Sequence, residues 1–534
     1  MFQTARKRMP AILLALVTAA AVIAPAHAAG TLRIGSAGEP ESMDPHFSSI
    51  VSTSYIIQEM FIGLTTADAD GRAVPGAAES WNISTDGLTY TFILRDHTWS
   101  DGVPVSAHDF VYAWRRILDP EIAAKYASLL YIIDGAEDYN TGKSGAEVLQ
   151  VRAVSDKVLE AKLKAPAPYF LEQLTHATSY PVPQHVLTRY DRTSQEWSKP
   201  ENIVVNGPYK VTEWIPNVHV RLAKNENFFD ADSVFFDEVV YFPLEDRTTM
   251  LNKFRAGEID VARDIPSEQI DLIRREIPES LRIAPYQGIY YYAFNTARPP
   301  FDDVRVRRAL SMTIDREVVA HKVLRTGEIP AYSFVAPGTG NYGAPANAEW
   351  AKTPYDERVE IAKGLLADAG YGDGGRPLKV VLRYNTSENH KRVAVAISAM
   401  WKALGVETEL FNTDVTTHYA DLQQGDFEVA RAGWISDYND AQNFLYLLET
   451  RTGGFNYGNY SNPEFDRLMV EAENNTNLSQ RANVMRRAEA IAMDDQPVAP
   501  IYYYISKQLV APNLKGWRDN TTDKHNSRWL SFDN

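Results

Sequence analysis

The sequence predicts an α/β fold built from more than one structural unit, on three observations. The stretch 379–437 reads as strand, helix, strand, helix, strand. The chain has 534 residues, 45% of them hydrophobic, which is about three to five domains' worth at roughly 100–200 residues each. No repeat of about 20–50 residues runs through it, which argues against solenoids and propellers.

Residues 1–28 read as a secretory leader. Arg6, Lys7 and Arg8 form the positive end, an apolar run follows Pro10 to Ile23, and Ala26 and Ala28 put small residues before a cleavage point. The run is too short for a comfortable membrane span. Losing these three positive charges takes the net charge from −15 to −18. Further on, Ser106 and Asp109 sit as a capping box. Phe110, Val111, Trp114, Ile117 and Leu118 then form one helical stripe, a core face. Clusters of proline and glycine at 165–168, 181–183, 206–208, 298–300 and 336–346 mark turns and linkers. From 303 to 324 the pattern predicts one long helix. Its early Arg305, Arg307 and Arg308 oppose the helix dipole. They pair with carboxylates of another segment or form a solvated face; the pattern favours a structural role.

Within 379–437, residues 379–384 form a buried-strand pattern. From 388 to 404 Val393, Ile397, Met400, Trp401 and Leu404 recur at helical spacing, and Gly405 supplies the C′ residue. A second strand covers 406–411, a polar helix runs to Gln424, and a third strand covers 427–433. Such a unit implies a parallel sheet with right-handed crossovers. Ligands of these sheets bind beyond the carboxyl ends of the strands. The loops to watch are therefore 385–390, 412–417 and 434–439.

Composition excludes several chemistries. There is no cysteine, so disulfides, thiolate zinc sites, cysteine nucleophiles and a lipid-bearing N-terminal cysteine are absent. The acidic balance, pI about 5.3, disfavours nucleic acid or an anionic membrane as partner. The 28 tyrosines suit a recognition surface, with an apolar face and a polar tip. No serine-hydrolase elbow, paired-histidine zinc motif or Walker loop occurs. GTGNYG at 338–343 matches a dinucleotide pattern by letters but lacks the flanking strand and helix. DADG at 68–71 lacks the remaining calcium ligands and reads as a turn. What remains are Asp437, Arg431 and His390 on the strand-end loops. A carboxylate at 437 can hold an ammonium, while Arg431 and His390 can hold a carboxylate, so a zwitterion with separated ends suits the trio. From spacing alone each is more often a surface charge or part of an ion pair. An exported hydrolase with a carboxylate pair stays open too, because spacing in sequence does not constrain one.

Many short segments in one order then carry a resemblance: SMDPH at 42–46, WSDG at 99–102, AHDFVY at 107–112, NIVVNG at 202–207, GEID at 257–260, FDDVRVR at 301–307, YNTS at 384–387, VARAGW at 429–434 and DYN at 437–439. The chain resembles the periplasmic oligopeptide-binding proteins, family 5 of the bacterial extracellular solute-binding proteins. The resemblance implies a two-lobed periplasmic binding protein fold of the class II type, with a hinge and an extra inserted domain. Lobe I would comprise 29–61, 184–287 and 505–534, the extra domain 62–183, and lobe II 288–504. It implies capture of short peptides in the cleft, delivery to an inner-membrane ABC permease on separate chains, no cofactor or metal, no enzymatic activity, a periplasmic location and a monomer. Asp437 matches the acid that pairs with the peptide's α-ammonium and Tyr126 a tyrosine near that end. Arg431 and His390 match residues that meet the carboxyl end. Gly433 and Ile435 match positions that offer main-chain groups. Trp434 lies between them in the same binding stretch, and Val51 matches a position on a strand of the opposing lobe. Three departures leave peptide length and side-chain preference open. Ser49 replaces a glutamate, Leu324 replaces a lysine with Arg325 adjacent, and Gly288 and Ile435 replace a disulfide pair. A cell-wall tripeptide, or a non-peptide ligand such as haem, a metal chelate or a sugar, is the alternative within the same fold.

Overall fold

The computed structural model describes residues 30–533, apart from 49, 373 and 374. The expected leader, 1–28, and the Ser49 departure lie outside the described residues. The largest sheet among these residues has 11 strands. Two long antiparallel strands, Leu281–Phe294 and Val498–Val510, run through its middle. On one flank lie Val429–Ile435, Lys379–Asn385 and Glu407–Thr413. On the other lie Val261–Ala262, Thr31–Ser36, Glu238–Pro243, His219–Lys224 and Tyr209–Ile215.

The middle strands are apolar and mostly buried over 288–294 and 498–505, where both their faces are covered. Ile289, Tyr291 and Ala293 point into one core; Tyr290, Tyr292 and Phe294 point into the core on the opposite face. That alternation is the two-residue period of a strand. Their pairing is interrupted by register shifts between Pro285 and Ile289 and again between Tyr290 and Tyr291. Such irregularities bend a strand and raise its local twist. Before the interruption the strand pairs with 505–509; beyond it, with 498–503.

The strand–helix–strand–helix–strand stretch forms as its periodicity predicts. Lys379–Asn385 lies parallel to both Glu407–Thr413 and Val429–Ile435. Helix Glu388–Lys402 buries Val393, Ala394, Ile397 and Trp401 against them. Gly405 ends it at φ +75°, where a side chain would be strained. The third strand is Val429–Ile435, two residues later than the expected 427–433, and Arg431, grouped above with the strand-end loops, lies inside it.

The helix expected over 303–324 is broken. It runs Val304–Met312 and restarts as Arg316–Val318 followed by a π-helical turn, Val319–Leu324. Thr313 returns its hydroxyl to the carbonyls of Ala309 and Leu310, and Asp315 caps the new turn through the Val318 amide. Local side-chain bonds of this kind compete with a continuing helix. The three arginines are structural: Arg305 pairs with Asp303 on its own cap, Arg308 lies 3.6 Å from Glu349, and Arg307 donates to the carbonyls of Asp495 and Gln496. A guanidinium there satisfies orphan carbonyls at the end of helix Leu478–Asp495.

A second sheet, antiparallel, contains Ala78–Ile83, Thr89–Leu94, Val158–Lys162 and Val151–Ser155. Helix Ala107–Leu118 packs on it with Phe110, Trp114 and Ile117 fully buried. The Asp109 carboxylate accepts from the Ser106 amide and hydroxyl, as the capping box predicts. This apolar core continues without a boundary to Leu32, Ile34 and Tyr241 of the large sheet. Residues 338–343 form a loop and 68–71 a turn, in line with the sequence reading. No helix among the described residues is long and apolar enough to cross a membrane, and no cluster of potential metal ligands occurs among them.

Candidate functional site

The strand Val429–Ile435 organises the site. It pairs with Leu281–Phe294 along its whole length, but with Lys379–Asn385 only at Val429 and Ala430. From Arg431 onward its other edge is therefore free of a neighbouring strand. The Ser436 amide donates to the Gln287 carbonyl, and the Glu428 carbonyl accepts from the Asn295 amide. Main-chain groups alternate direction along a strand. The even-numbered residues thus face the paired strand, and the amides and carbonyls of Gly433 and Ile435 face the open edge. The Arg431 carbonyl on that edge is taken by the His418 ring at 2.8 Å.

Beyond one end of this edge stands Asp437, its side chain only 10% exposed. Its amide donates to Asn443 Oδ1, which also accepts from Trp434 Nε1, and so the turn is pinned from both sides. Asp440 fixes the following residues through two bonds to the buried Arg481, at 2.7 and 2.8 Å. Removing the guanidinium leaves a buried carboxylate alone, so Arg481→Met should cost about 3–5 kcal/mol of stability. Denaturant unfolding, with an unchanged slope and a lower midpoint, checks this.

The Asp437 carboxylate itself is poorly matched. Oδ2 has no hydrogen-bond partner among the described residues. His176 Nε2 lies 3.8 Å from Oδ1, beyond hydrogen-bond length. Burial holds the His176 ring neutral, its pKa down to about 3. Burial also lifts the Asp437 carboxyl to about 7, against opposing pulls from the Asn443 side chain and the more distant Lys524. Tyr126 stacks on His176 at 5.4 Å and, with Asp437, lines a cavity of about 150 Å³.

At the other end Arg431 is 7% exposed. Its guanidinium donates to Asn385, Tyr419 and Tyr504 at 2.7–3.0 Å and lies over the Tyr290 ring at 4.9 Å. No carboxylate stands within 4 Å of it among the described residues, and Nε has no partner. The His390 ring packs 5.5 Å from Tyr290, with Nδ1 unpartnered. Burial first, then the Arg431 charge, holds its pKa far below the ordinary value, so the ring is neutral. A buried cation with only neutral partners is an anion site. Gly433 makes room for it, since a Cβ there would stand 2.7 Å from Tyr504 Oη and 3.0 Å from the Arg431 guanidinium. Gly433→Val should displace both side chains and cut affinity for a short zwitterionic ligand by about tenfold or more, roughly one charge-assisted bond. Titration calorimetry on the folded variant measures it.

Two expected residues stand elsewhere. Val51 does not lie on a strand: it opens the helix Val51–Met60, 45% exposed. Ile56, Ile57 and Met60 bury one helical face there, and that periodicity overrides the extended expectation. Trp434 turns its indole into the core against Tyr446 and Phe455, behind the site rather than on its surface. The Leu324 side chain is also buried in the core, while Arg325 pairs with Asp271. Gly288 stands directly opposite Ile435, whose side chain occupies the space a Cβ would need. Residues that the sequence reading passed over include His176, Asn443, Tyr419 and Tyr504. The tyrosine run 502–504 marks Tyr504, while His176, Asn443 and Tyr419 carry no such mark in the sequence.

The fold and this site define a class: a binding protein with two buried opposite charges along one open strand edge. Comparison with known proteins agrees. The model of the bacterial extracellular solute-binding proteins, family 5, matches residues 72–456. The periplasmic oligopeptide-binding protein OppA of Salmonella typhimurium is 38% identical over 95% of this chain and 94% of its own. A crystal structure of Haemophilus influenzae OppA in complex with RPPGFSPFR superposes with a TM-score of 0.87 at 34% identity, covering 94% of this chain and 99% of that one. The murein tripeptide-binding protein MppA of Escherichia coli gives 0.87 at 35% identity, covering 94% and 98%. An MppA structure in its unliganded open form gives only 0.75, with 34% identity and 94% and 97% covered. The chain belongs to family 5 of the bacterial extracellular solute-binding proteins, has the two-lobed periplasmic binding protein fold, and is not an enzyme.

Proposed function

We propose that the protein captures short peptides in extended form between its two lobes and delivers them to an ABC-type importer carried on other chains. One observation carries this reading. Two buried, opposite charges, Asp437 and Arg431, stand unmatched at the two ends of an open strand edge. A peptide running antiparallel to the strand sets its α-ammonium at Asp437 and its carboxylate at Arg431. Its amides then pair with Gly433 and Ile435, as in strand addition. Main-chain pairing and charged ends give affinity that does not depend on side chains, and relatives named for oligopeptide, murein-tripeptide and dipeptide binding fit that logic. Because MppA is 36% identical over 91% of this chain, a cell-wall tripeptide is the second ligand to try. We place the hinge at the register break between Pro285 and Ile289, with lobe boundaries at 287/288 and 504/505 and the extra domain over 62–183. The reading further includes export by the leader 1–28, a periplasmic location and a monomeric state.

Calorimetry with tri-alanine and its N-acetyl form tests the reading: tight binding of the first and none of the second is expected. The pH profile is a further expected result. Asp437 titrates near 7 in the free site and is held ionised by a bound ammonium. Binding below pH 7 therefore expels a proton, and affinity should fall about tenfold per pH unit there. Above about pH 8 the peptide's own α-amino group loses its charge. Affinity should peak between pH 7 and 8, and a flat profile from 5.5 to 8 would count against the ammonium contact.

A further inference from the structure

The residue after Asp437 joins two parts of the molecule through a pair of rings. The Tyr438 ring lies nearly parallel to that of Tyr169, with centroids 4.8 Å apart and planes at 11°. Both residues are buried. Tyr169 belongs to the stretch 62–183, and its neighbour Phe170 is fully buried in the core of that stretch and of lobe I. Among the described residues, Tyr438 is the one buried member of that core drawn from 288–504. The Arg481 guanidinium, which holds Asp440, lies 5.4 Å from the centroid of the Tyr169 ring. Tyr169 therefore meets lobe II at two groups that both belong to the framework of the 437–440 turn. That turn is stiff. The Asp437 amide hangs from Asn443, the Tyr438 carbonyl accepts from the Ser436 hydroxyl and the Asp440 amide, and the Tyr438 hydroxyl donates to Gln442. A carboxylate and a ring on adjacent residues of a stiff turn move together.

We propose that Tyr169 is a positioning residue for ligand capture: it receives Tyr438 as the lobes close and so holds the Asp437 carboxylate on the ligand's α-ammonium. The inference rests on the peptide reading and on the lobe boundaries given with it. Tyr169 acts through Tyr438 and not on the ligand. Closing the cleft stacks and buries both rings, and parting the lobes returns both to water, so the pair favours the closed form alone. A contact made only after the ligand has entered slows its release and leaves the encounter unchanged.

Stopped-flow kinetics with tri-alanine at pH 7.5, on the full mature chain, test this. Tyr169→Ala should release the peptide about tenfold faster than wild type, roughly the worth of one buried aromatic pair. Its association rate should stay within about twofold of wild type. Tyr169→Phe keeps the ring and should release at the wild-type rate. Tyr438→Ala, an independent check from the other lobe, should speed release as much, and the double variant should be no faster than either single one. Ligand-free Tyr169→Ala should melt with the wild type, because the rings are apart until the lobes close. An unchanged release rate, additive effects of the two substitutions, or a ligand-free Tyr169→Ala that melts well below wild type overturns the proposal. Where the wild type binds tri-alanine, any of these results sinks this inference and leaves the peptide reading standing. If the wild type does not bind tri-alanine, the peptide reading falls and this inference with it.

Discussion

Asp437→Asn should weaken tripeptide binding by about two to three decades and abolish discrimination against N-acetylated peptides. The α-ammonium is enclosed in the complex, and a buried charge left without its partner costs roughly 3–5 kcal/mol. At about 1.4 kcal/mol per decade that is at least two decades. Asparagine keeps the shape and a hydrogen-bond acceptor but no charge, so the loss reports the ion pair. The acid limb of the pH profile should vanish with it. The fold serves as an internal control. Burial raises the Asp437 carboxyl from its ordinary value to about 7 in the free protein. As an acid whose folded pKa is raised, it destabilises the free protein increasingly between about pH 4 and 7, and fully above that. The free variant should therefore melt no lower than wild type at pH 8. Wild-type affinity in Asp437→Asn would remove Asp437 from the ammonium site.

Arg431→Ala should bring the second large loss, and that loss should depend on ligand length. For a tripeptide held at both ends, the carboxylate would be left buried without its cation, again a loss of about two decades or more. A longer peptide carries its carboxylate past Arg431 and places a neutral amide there, so its loss should be smaller. Alanine also releases Tyr419, Tyr504 and Asn385, each of which the guanidinium now orients. Arg431→Lys therefore accompanies it: a lysine restores charge but not the fork of donors, and should recover tripeptide affinity only in part. Equal losses for three-residue and six-residue peptides would show that Arg431 does not meet the carboxyl end.

Where periodicity was strong the fold could be read ahead of the structure. The helix at 388–402 has four buried apolar positions at helical spacing and a glycine stop, and local information sufficed. The break at 313–315 could not be read. It depends on Thr313 and Asp315 choosing backbone partners, and Arg316 beyond it donates to carbonyls of Ala331 and Pro500, far along the chain. Asp437 drew notice because it follows a strand end, and that position is what the topology of the sheet makes useful. Its character as an unmatched buried carboxylate comes from segments that meet it only in three dimensions, around His176 and Lys524. Arg431, grouped with the strand-end loops, lies inside the strand on the expected bounds 427–433 as well as on the observed ones. In the structure it is central, since its main chain leaves the edge free just as its side chain enters a pocket of tyrosines. The strand expected at Val51 is instead the first turn of a helix, whose Ile56, Ile57 and Met60 are buried at helical spacing.

The crystal structure of the protein with tri-alanine bound is the most direct test of the account. The account predicts the α-ammonium within hydrogen-bond distance of the Asp437 carboxylate and the terminal carboxylate on the Arg431 guanidinium. The ligand's amides would pair with the main chain of Gly433 and Ile435. A peptide lying with reversed polarity, or seated away from the 431–437 edge, would contradict it.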